Sequence, residues 1–278
     1  MTFSVDKTKL PKHVAIIPDG NRRWAHSRNL PTLRGHTKGF QAANAVIRQA
    51  RDLGIHTFTL WAFSTENWNR SETEVNYLMR LYEENISKNL EEALKSEARI
   101  VHLGRKDRIP GGLQEILKEA EQKTAHFTKH ILNIALDYGG HDEILRAVTK
   151  ATKDIESGKL TPQELTQEVA KYKGKYPIYK FADYLDTAGQ PYPYPDLIIR
   201  TSGEQRLSGY LSWQSAYSEF YFADVHMPDF KEAEFKKALI DFAGRERRFG
   251  GNAKSSGDAG GGGAAANGAS KTASKKGN

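Results

Sequence analysis

Short apolar segments alternate with amphipathic helical segments along most of this chain, and that alternation restricts the fold more than any other feature of the sequence. Residues 14–17 form a short apolar run stopped by Pro18, which marks the end of a buried strand. From residue 36 onward, Phe40, Ala43, Val46, Ile47, Ala50 and Leu53 recur on one face of a helix that Gly54 ends. Residues 57–63, TFTLWAF, have the β-branched and aromatic content of a second strand. Strand, helix and strand in this order make a βαβ unit. A long helical pattern follows over 71–96, with Val75, Leu78, Met79, Tyr82, Ile86, Leu90, Ala93 and Leu94 recurring at spacings of three and four. Glu72 and Glu74 lie in its first turn, where the helix dipole favours them.

The strand ARIVHLG, a helix over 111–125, the strand ILNIALD, a helix over 141–156 and the strand DLIIR continue the series. Gly158 closes the helix before it, and Thr161, Pro162 and Glu164 open another with a capped start. The expectation is an α/β fold: a single domain with a central, mostly parallel sheet flanked by helices on both faces. No internal repeat interrupts it. Residues 172–195, aromatic-rich with four prolines, read as a structured excursion.

Composition changes sharply only after Gly250, where Gly, Ala, Ser and Lys dominate and no aromatic or β-branched apolar residue is available for a core. The expected organisation is an N-terminal arm over 1–12, a folded domain over 13–251 and a disordered tail over 252–278. Four lysines against one aspartate put three of the formal +7 charges in that tail, so the folded part carries about +4. Such a charge gives no reason to expect a nucleic-acid partner. The chain has no cysteine, which excludes disulfides, thiol chemistry and a Cys-based zinc site. No window approaches about 18 uninterrupted apolar residues, so a cytoplasmic protein is expected, with a peripheral membrane role open.

Two distant segments carry the chemistry. HVAIIPDGNRRWAH at 13–26 places Asp19, a Gly20 turn and Arg22 and Arg23 directly after a strand, and RTSGEQRLS at 200–208 places Arg200, Arg206 and Ser208 after another. Ligands of an open parallel sheet bind beyond the carboxyl ends of its strands, and 63–70 supplies a third loop there. Asp19 suits Mg2+, a hard cation that takes a carboxylate together with substrate phosphate oxygens. Gly20 allows close backbone approach, the following helix offers free N–H groups, and arginine forks bind phosphate bidentately. An Asp-Gly turn that merely caps a helix is the plainer reading of DGN alone, but the second Arg-rich loop points to a doubly phosphorylated ligand. His36 is a proton donor, a phosphate ligand or a structural histidine. The apolar face of the 71–96 helix and small Ala62 read either as core or as the wall of a hydrophobic tunnel.

As a set, HVAIIPDGNRRWA, GH at 35–36, TLWAFSTENWNR, LNIALDYGG, DLIIRTSGEQRLSGYLSWQSAYSEFYF and RERRFGG resemble the cis-prenyltransferases of the undecaprenyl diphosphate synthase type. The likeness covers nearly all of the folded part. It implies Mg2+-dependent cis-condensation of isopentenyl diphosphate onto an allylic diphosphate such as farnesyl or geranylgeranyl diphosphate, in a homodimer with transient membrane-surface contact for product release. Asp19 and Asn67 are the catalytic residues it implies, with Asp19 and Glu219 at the metal, the latter through the neighbouring subunit's site. Gly20, Asn21, Arg22, Arg23, Trp24 and His36 match the allylic diphosphate side, with Asn21 and Arg23 also assisting proton removal. Phe63, Ser64, Thr65, Trp68 and Arg70 match a loop that closes over the site and orients isopentenyl diphosphate. Arg200, Arg206 and Ser208 match its diphosphate binders, and Ala62, Leu78, Tyr82 and Ile86 line the tunnel. Small Ala62 and a 71–104 stretch without insertion predict a medium-chain product, with a short-chain synthase as the alternative. A non-catalytic partner subunit would lack the Asp and loop arginines retained here. The chain departs from the family at Pro18, where methionine is frequent, and at Thr32, where arginine is usual and Arg34 stands two residues on. Its 172–195 segment is also longer than the common bacterial pattern.

Overall fold

A computed structural model describes residues 5–173 and 176–249. The chain divides into two units, Met1–Arg245 and Glu246–Asn278. Every element and site below belongs to the first. Of the second, residues 246–249 are described, and the 252–278 tail and the end of the RERRFGG motif fall outside the described residues.

The elements run β1 (His13–Ile17), α1 (Asn21–His26), α2 (Thr32–Asp52), β2 (Thr57–Ser64), α3 (Glu72–Ser96), β3 (Ala98–Leu103), α4 (Gly111–Thr124), β4 (His130–Tyr138), α5 (Gly140–Glu156), α6 (Pro162–Leu165), β5 (Leu197–Arg200), β6 (Glu219–Phe222) and α7 (Glu232–Gly244). Each strand and helix read from periodicity is present, although the capped start at Thr161 opens a single turn rather than a full helix. The strands form one sheet in the order β3-β4-β2-β1-β5-β6, and every pairing is parallel. Because β1 is covered on both sides, it is buried throughout and apolar from Val14 on. Val14 and Ile16 enter the core under α2, α3 and α7, while Ala15 and Ile17 enter a second core with Trp61, Tyr138 and Tyr210.

The described residues of the 172–195 segment build a third, satellite core. Tyr172, Ile178, Phe181, Leu185 and Tyr194 pack with Ala147 of α5. Polar ties fix this excursion to β4 and α5: Gln190 and buried Asn133 exchange hydrogen bonds of 2.9 and 3.0 Å, and Arg146 grips Asp186 with two bonds of 2.8 and 2.7 Å. None of its described residues lines the phosphate-side cavity described next. No helix among the described residues is long and apolar enough to cross a membrane.

Candidate active site

Adjacency of β2, β1 and β5 explains why three loops distant in sequence meet. In a parallel sheet the segments after these strands leave from one edge, and the middle three strands carry 64–70, 18–23 and 201–208. A cavity of about 560 Å3 opens between them, within the usual range of about 300–1,000 Å3 for ligand pockets.

Its floor is pinned by a reciprocal pair. The Asp19 N–H donates to Thr201 Oγ1 and the Thr201 hydroxyl donates to the Asp19 carbonyl, both at 2.8 Å. Gly20 then turns the chain with φ of +88°. A Cβ there would lie 1.9 Å from Ser202 Oγ, so only glycine lets the first loop meet the third. Asp19 Oδ1 accepts from the Gly20 N–H at 2.6 Å and Arg23 Nη2 at 3.1 Å, and Oδ2 accepts from Arg200 Nη2 at 2.8 Å. Burial pushes the Asp19 carboxyl up, but the Arg200, Gly20 and Arg23 donors outweigh it and hold the group below its ordinary value, as a carboxylate.

Arg200 is nearly buried, and its Nη1 donates to Ser208 Oγ at 3.0 Å and to the Arg206 carbonyl. Its Nε has no hydrogen-bond partner, nor has the Oδ1 of Asn21, a cavity residue whose Oδ1 packs against Gly39 of α2. Arg22 lines it without an ion pair among the described residues. Opposite stands Arg70, whose Nη1 donates to Glu74 Oε1 at 3.0 Å. The same oxygen accepts from His36 Nε2 at 3.0 Å, since a carboxylate can only accept. Burial lowers the His36 pKa more than Glu74 raises it, and Arg70 and Arg22 lower it further, so at neutral pH the ring is neutral with its proton on Nε2. His36 is therefore a held, neutral imidazole rather than a resting proton donor.

The cavity brings together Asp19, Gly20, Asn21, Arg22, Arg23, His36, Ala62, Phe63, Ser64, Asn67, Arg70, Leu78, Tyr82, Arg200 and Ser208. Asn67 Oδ1 accepts from the Ser64 N–H at 3.1 Å, which folds the loop after β2 into a capped 3-10 turn, Thr65–Asn69. Other expected residues stand outside the cavity lining. Trp24 is buried beneath Arg28, whose guanidinium lies 4.4 Å from its ring centre. Trp68 points its Nε1 to Asp137 at 2.9 Å and packs edge-on against Phe63, while a Cβ on Gly139 would fall 2.6 Å from Thr65 Oγ1. Arg206 turns its exposed guanidinium to Glu204, leaving only its carbonyl turned to Arg200. Ile86 is enclosed in the core.

Glu219, expected at a metal through the neighbouring subunit's site, lies away from this chain's own pocket. It begins β6 level with Leu197, whereas Arg200 pairs with Phe222, so it sits three residues, about 10 Å of strand, back from the site edge. Its carboxylate accepts from Arg245 Nη1 at 2.8 Å. Among the described residues of one chain, Asp19 is the sole carboxylate lining the pocket. Arg34 is exposed and does not line it, and at that rim stands His26, 3.1 Å from Thr32 Oγ1. His26, Trp61 and Glu74 are the participants that the sequence reading does not single out. The signal for Glu74 is its place one turn after Arg70, which reads equally well as a dipole-favoured helix start.

Among the described residues no group of three or more His, Asp or Glu converges to hold a metal alone. A lone carboxylate beside free arginine donors nevertheless fits Mg2+, which binds through one or two carboxylates plus phosphate oxygens and keeps several waters. Four arginines against one carboxylate leave the pocket strongly cationic, the charge balance of a site for diphosphates.

Comparison with known proteins agrees. A family model described as "Putative undecaprenyl diphosphate synthase" matches residues 17–250. The chain is 43% identical over 249 residues to the tritrans,polycis-undecaprenyl-diphosphate synthase (geranylgeranyl-diphosphate specific) of Methanocaldococcus jannaschii, covering 89% of this chain and 85% of that protein. It is 42% identical over 243 residues to an isoprenyl transferase of Clostridium perfringens, covering 87% and 91%. Among solved structures, lavandulyl diphosphate synthase from Lavandula x intermedia, in complex with dimethylallyl diphosphate, superimposes with a TM-score of 0.80 at 36% identity, covering 87% of this chain and 99% of that one.

Proposed function

The chain belongs to the undecaprenyl diphosphate synthase family of cis-prenyltransferases, whose chemistry is Mg2+-dependent, and we propose that it condenses isopentenyl diphosphate onto a short allylic diphosphate and releases a short-chain cis-prenyl diphosphate. The observation that carries this reading is a cationic pocket with one carboxylate whose apolar side ends at Leu78 and Tyr82. In the reaction the allylic C–O bond breaks and diphosphate leaves. The double bond of isopentenyl diphosphate attacks the allylic carbon, and loss of a proton sets the new cis double bond.

Asp19 would hold Mg2+ together with diphosphate oxygens, and the ion supplies Lewis-acid stabilisation of the charge that develops on the leaving group. Arg23 and Arg200, both paired with Asp19, would offer guanidinium N–H groups to phosphate oxygens beside that carboxylate. Arg22 and the Gly20–Asn21 turn receive the allylic diphosphate at the start of α1. Arg70, Arg200 and Ser208 hold the diphosphate that stays attached, which fixes the two hydrocarbon ends against each other. Asn67 closes the loop after β2 over them. Asn21, beside the allylic diphosphate, would assist removal of the proton.

A medium-chain product is the second reading, favoured by the undecaprenyl product named for the Methanocaldococcus relative. A homodimer that brings Glu219 toward a neighbour's metal, and membrane-surface contact during release, belong to the same proposal. Purified protein incubated with Mg2+, radiolabelled isopentenyl diphosphate and dimethylallyl, farnesyl or geranylgeranyl diphosphate tests it by product sizing. Label in short cis-prenyl chains supports the first reading and label in chains of undecaprenyl length the second. No incorporation with any primer removes both.

A further inference from the structure

Gly20 leans on a side-chain pair that stands outside the pocket lining. The Ser202 hydroxyl and His226 Nδ1 share a hydrogen bond of 2.7 Å, and neither residue lines the cavity. A Cβ on Gly20 would lie 1.9 Å from Ser202 Oγ and 2.5 Å from His226 Nδ1, so the Gly20 α-carbon rests directly against this bond. Gly20 itself belongs to the site. Its N–H donates to Asp19 Oδ1 at 2.6 Å, and its carbonyl accepts from the Trp24 N–H at 2.8 Å.

Backbone hydrogen bonds hold the pair in place. Ser202 is buried with φ of +77°, and its N–H donates to the Val225 carbonyl at 2.8 Å. The His226 carbonyl accepts from the N–H groups of Asp229 and Phe230 at 2.9 and 3.1 Å, and the Met227 N–H donates to the Asp19 carbonyl at 3.0 Å. Met227 and Phe230 are fully enclosed in the core, which anchors this segment. Arg200 and Ser208, by contrast, are joined to each other at 3.0 Å through a bond that does not involve His226.

We propose that the Ser202–His226 pair is a clamp for the allylic diphosphate side: it fixes the Gly20 turn, and through it the aim of the Asp19 carboxylate and the placement of Arg22 and Arg23. The inference rests on the prenyl-transfer reading and adds two positioning residues that act through Gly20. A glycine at positive φ has wide backbone freedom, so a turn built on it keeps one geometry only where something outside it supplies the constraint. The 2.7 Å bond against its α-carbon is that constraint.

Kinetics with Mg2+ and each substrate varied in turn compare wild type, Ser202→Gly, His226→Leu, the double variant and His226→Asn. Ser202→Gly removes the hydroxyl yet suits a left-handed φ, so it keeps the fold even if His226→Leu does not. The clamp predicts a KM for the allylic diphosphate about fivefold higher in each single variant, the worth of one neutral hydrogen bond, with KM for isopentenyl diphosphate unchanged. The double variant should rise no further, because the two side chains act as one unit, whereas independent effects would multiply to about 25-fold. His226→Asn, whose amide can bond Ser202 as Nδ1 does, should recover much of the loss seen in His226→Leu. A mere loss of folded enzyme lowers kcat and moves neither KM. In parallel, calorimetry with Mg2+ and inorganic pyrophosphate measures affinity without turnover, and that affinity should fall in Ser202→Gly. Equal rises in both KM values, a multiplicative double variant, or a wild-type allylic KM in Ser202→Gly overturns the clamp. Absence of product from the wild type refutes the prenyl-transfer reading instead. The pyrophosphate titration then decides: weaker affinity in Ser202→Gly sustains the clamp and unchanged affinity overturns it.

Discussion

Removing the Glu74 carboxylate is expected to damage binding of isopentenyl diphosphate and to leave the fold weakened but present. Glu74 sits in the first turn of α3 and is nearly buried, and one of its oxygens accepts from both Arg70 Nη1 and His36 Nε2 at 3.0 Å. Truncation of one member of a buried ion pair costs about 3–5 kcal/mol. Arg70 is 28% exposed, so part of its charge relaxes into water, and His36 is neutral and loses only an acceptor. The low end, about 3 kcal/mol, is therefore expected for Glu74→Ala. Glu74→Gln keeps an oxygen for both donors and loses only the charge assistance, worth about 1–1.5 kcal/mol. That corresponds to roughly a tenfold fall in kcat/KM for isopentenyl diphosphate. Urea titration gives the stability change, and initial rates with each substrate varied in turn separate KM from kcat. The alanine variant also loses the carboxylate that raises the His36 pKa, so that pKa falls further. Wild-type stability and wild-type kcat/KM for both substrates in Glu74→Ala would refute the assignment of Glu74 as the residue that positions Arg70 and His36.

His13 makes stability pH-dependent. Burial outweighs the nearby Asp196 carboxylate and holds its pKa at about 4 against an ordinary 6.5, its Nδ1 facing the Tyr192 carbonyl and its Nε2 facing Thr59 Oγ1. The native state then refuses a proton that the unfolded chain accepts, so the contribution is complete above pH 6.5 and about 3 kcal/mol of it is lost as pH falls to about 4. Chemical denaturation across that window should show a shallower slope for His13→Asn, and an identical slope would sink the attribution. Gly20→Ala places a Cβ at 1.9 Å from Ser202 Oγ at a left-handed φ, so thermal denaturation should show a loss of at least about 2 kcal/mol, with activity falling as well. Arg200→Lys keeps the charge and loses the fork that joins Asp19, Ser208 and the Arg206 carbonyl, so KM for isopentenyl diphosphate should rise about tenfold or more; an unchanged KM would contradict that role.

Much of the sheet was legible because burial on both faces leaves a continuous apolar run, and HVAII, TFTLWAF and ILNIALD are such runs. The helices show in the same way through residues at three and four, as Val75, Leu78, Met79 and Tyr82 do in α3. β6 was not assigned as a strand: EFYF at the sheet edge is half-buried at every position and has no alternation to read. α7 shows the same helical spacing, with Phe235, Ala238, Leu239 and Phe242 on its buried face. The two Arg-rich segments were visible, yet their meeting depends on β1 and β5 being neighbours, a property of strand order that no local pattern encodes. Arg206 and Glu219 lie off this chain's own pocket: the Arg206 guanidinium pairs with Glu204, and the register of β6 sets Glu219 three residues back from the site edge. Thr32 was noticed as a departure, but its neighbour at the rim is His26 rather than Arg34, because the short α1 folds back against the start of α2.

The central claim is that a lone carboxylate, Asp19, works with Mg2+ and the surrounding arginines to expel diphosphate from an allylic substrate. Incorporation of radiolabelled isopentenyl diphosphate, measured for wild type and Asp19→Ala with Mg2+ and with chelator, tests it directly. The account predicts incorporation by wild type only when Mg2+ is present, and a loss on the order of a thousandfold in Asp19→Ala, since a metal at the leaving group is worth several kcal/mol. Undiminished incorporation by Asp19→Ala, or by wild type in excess chelator, would contradict it.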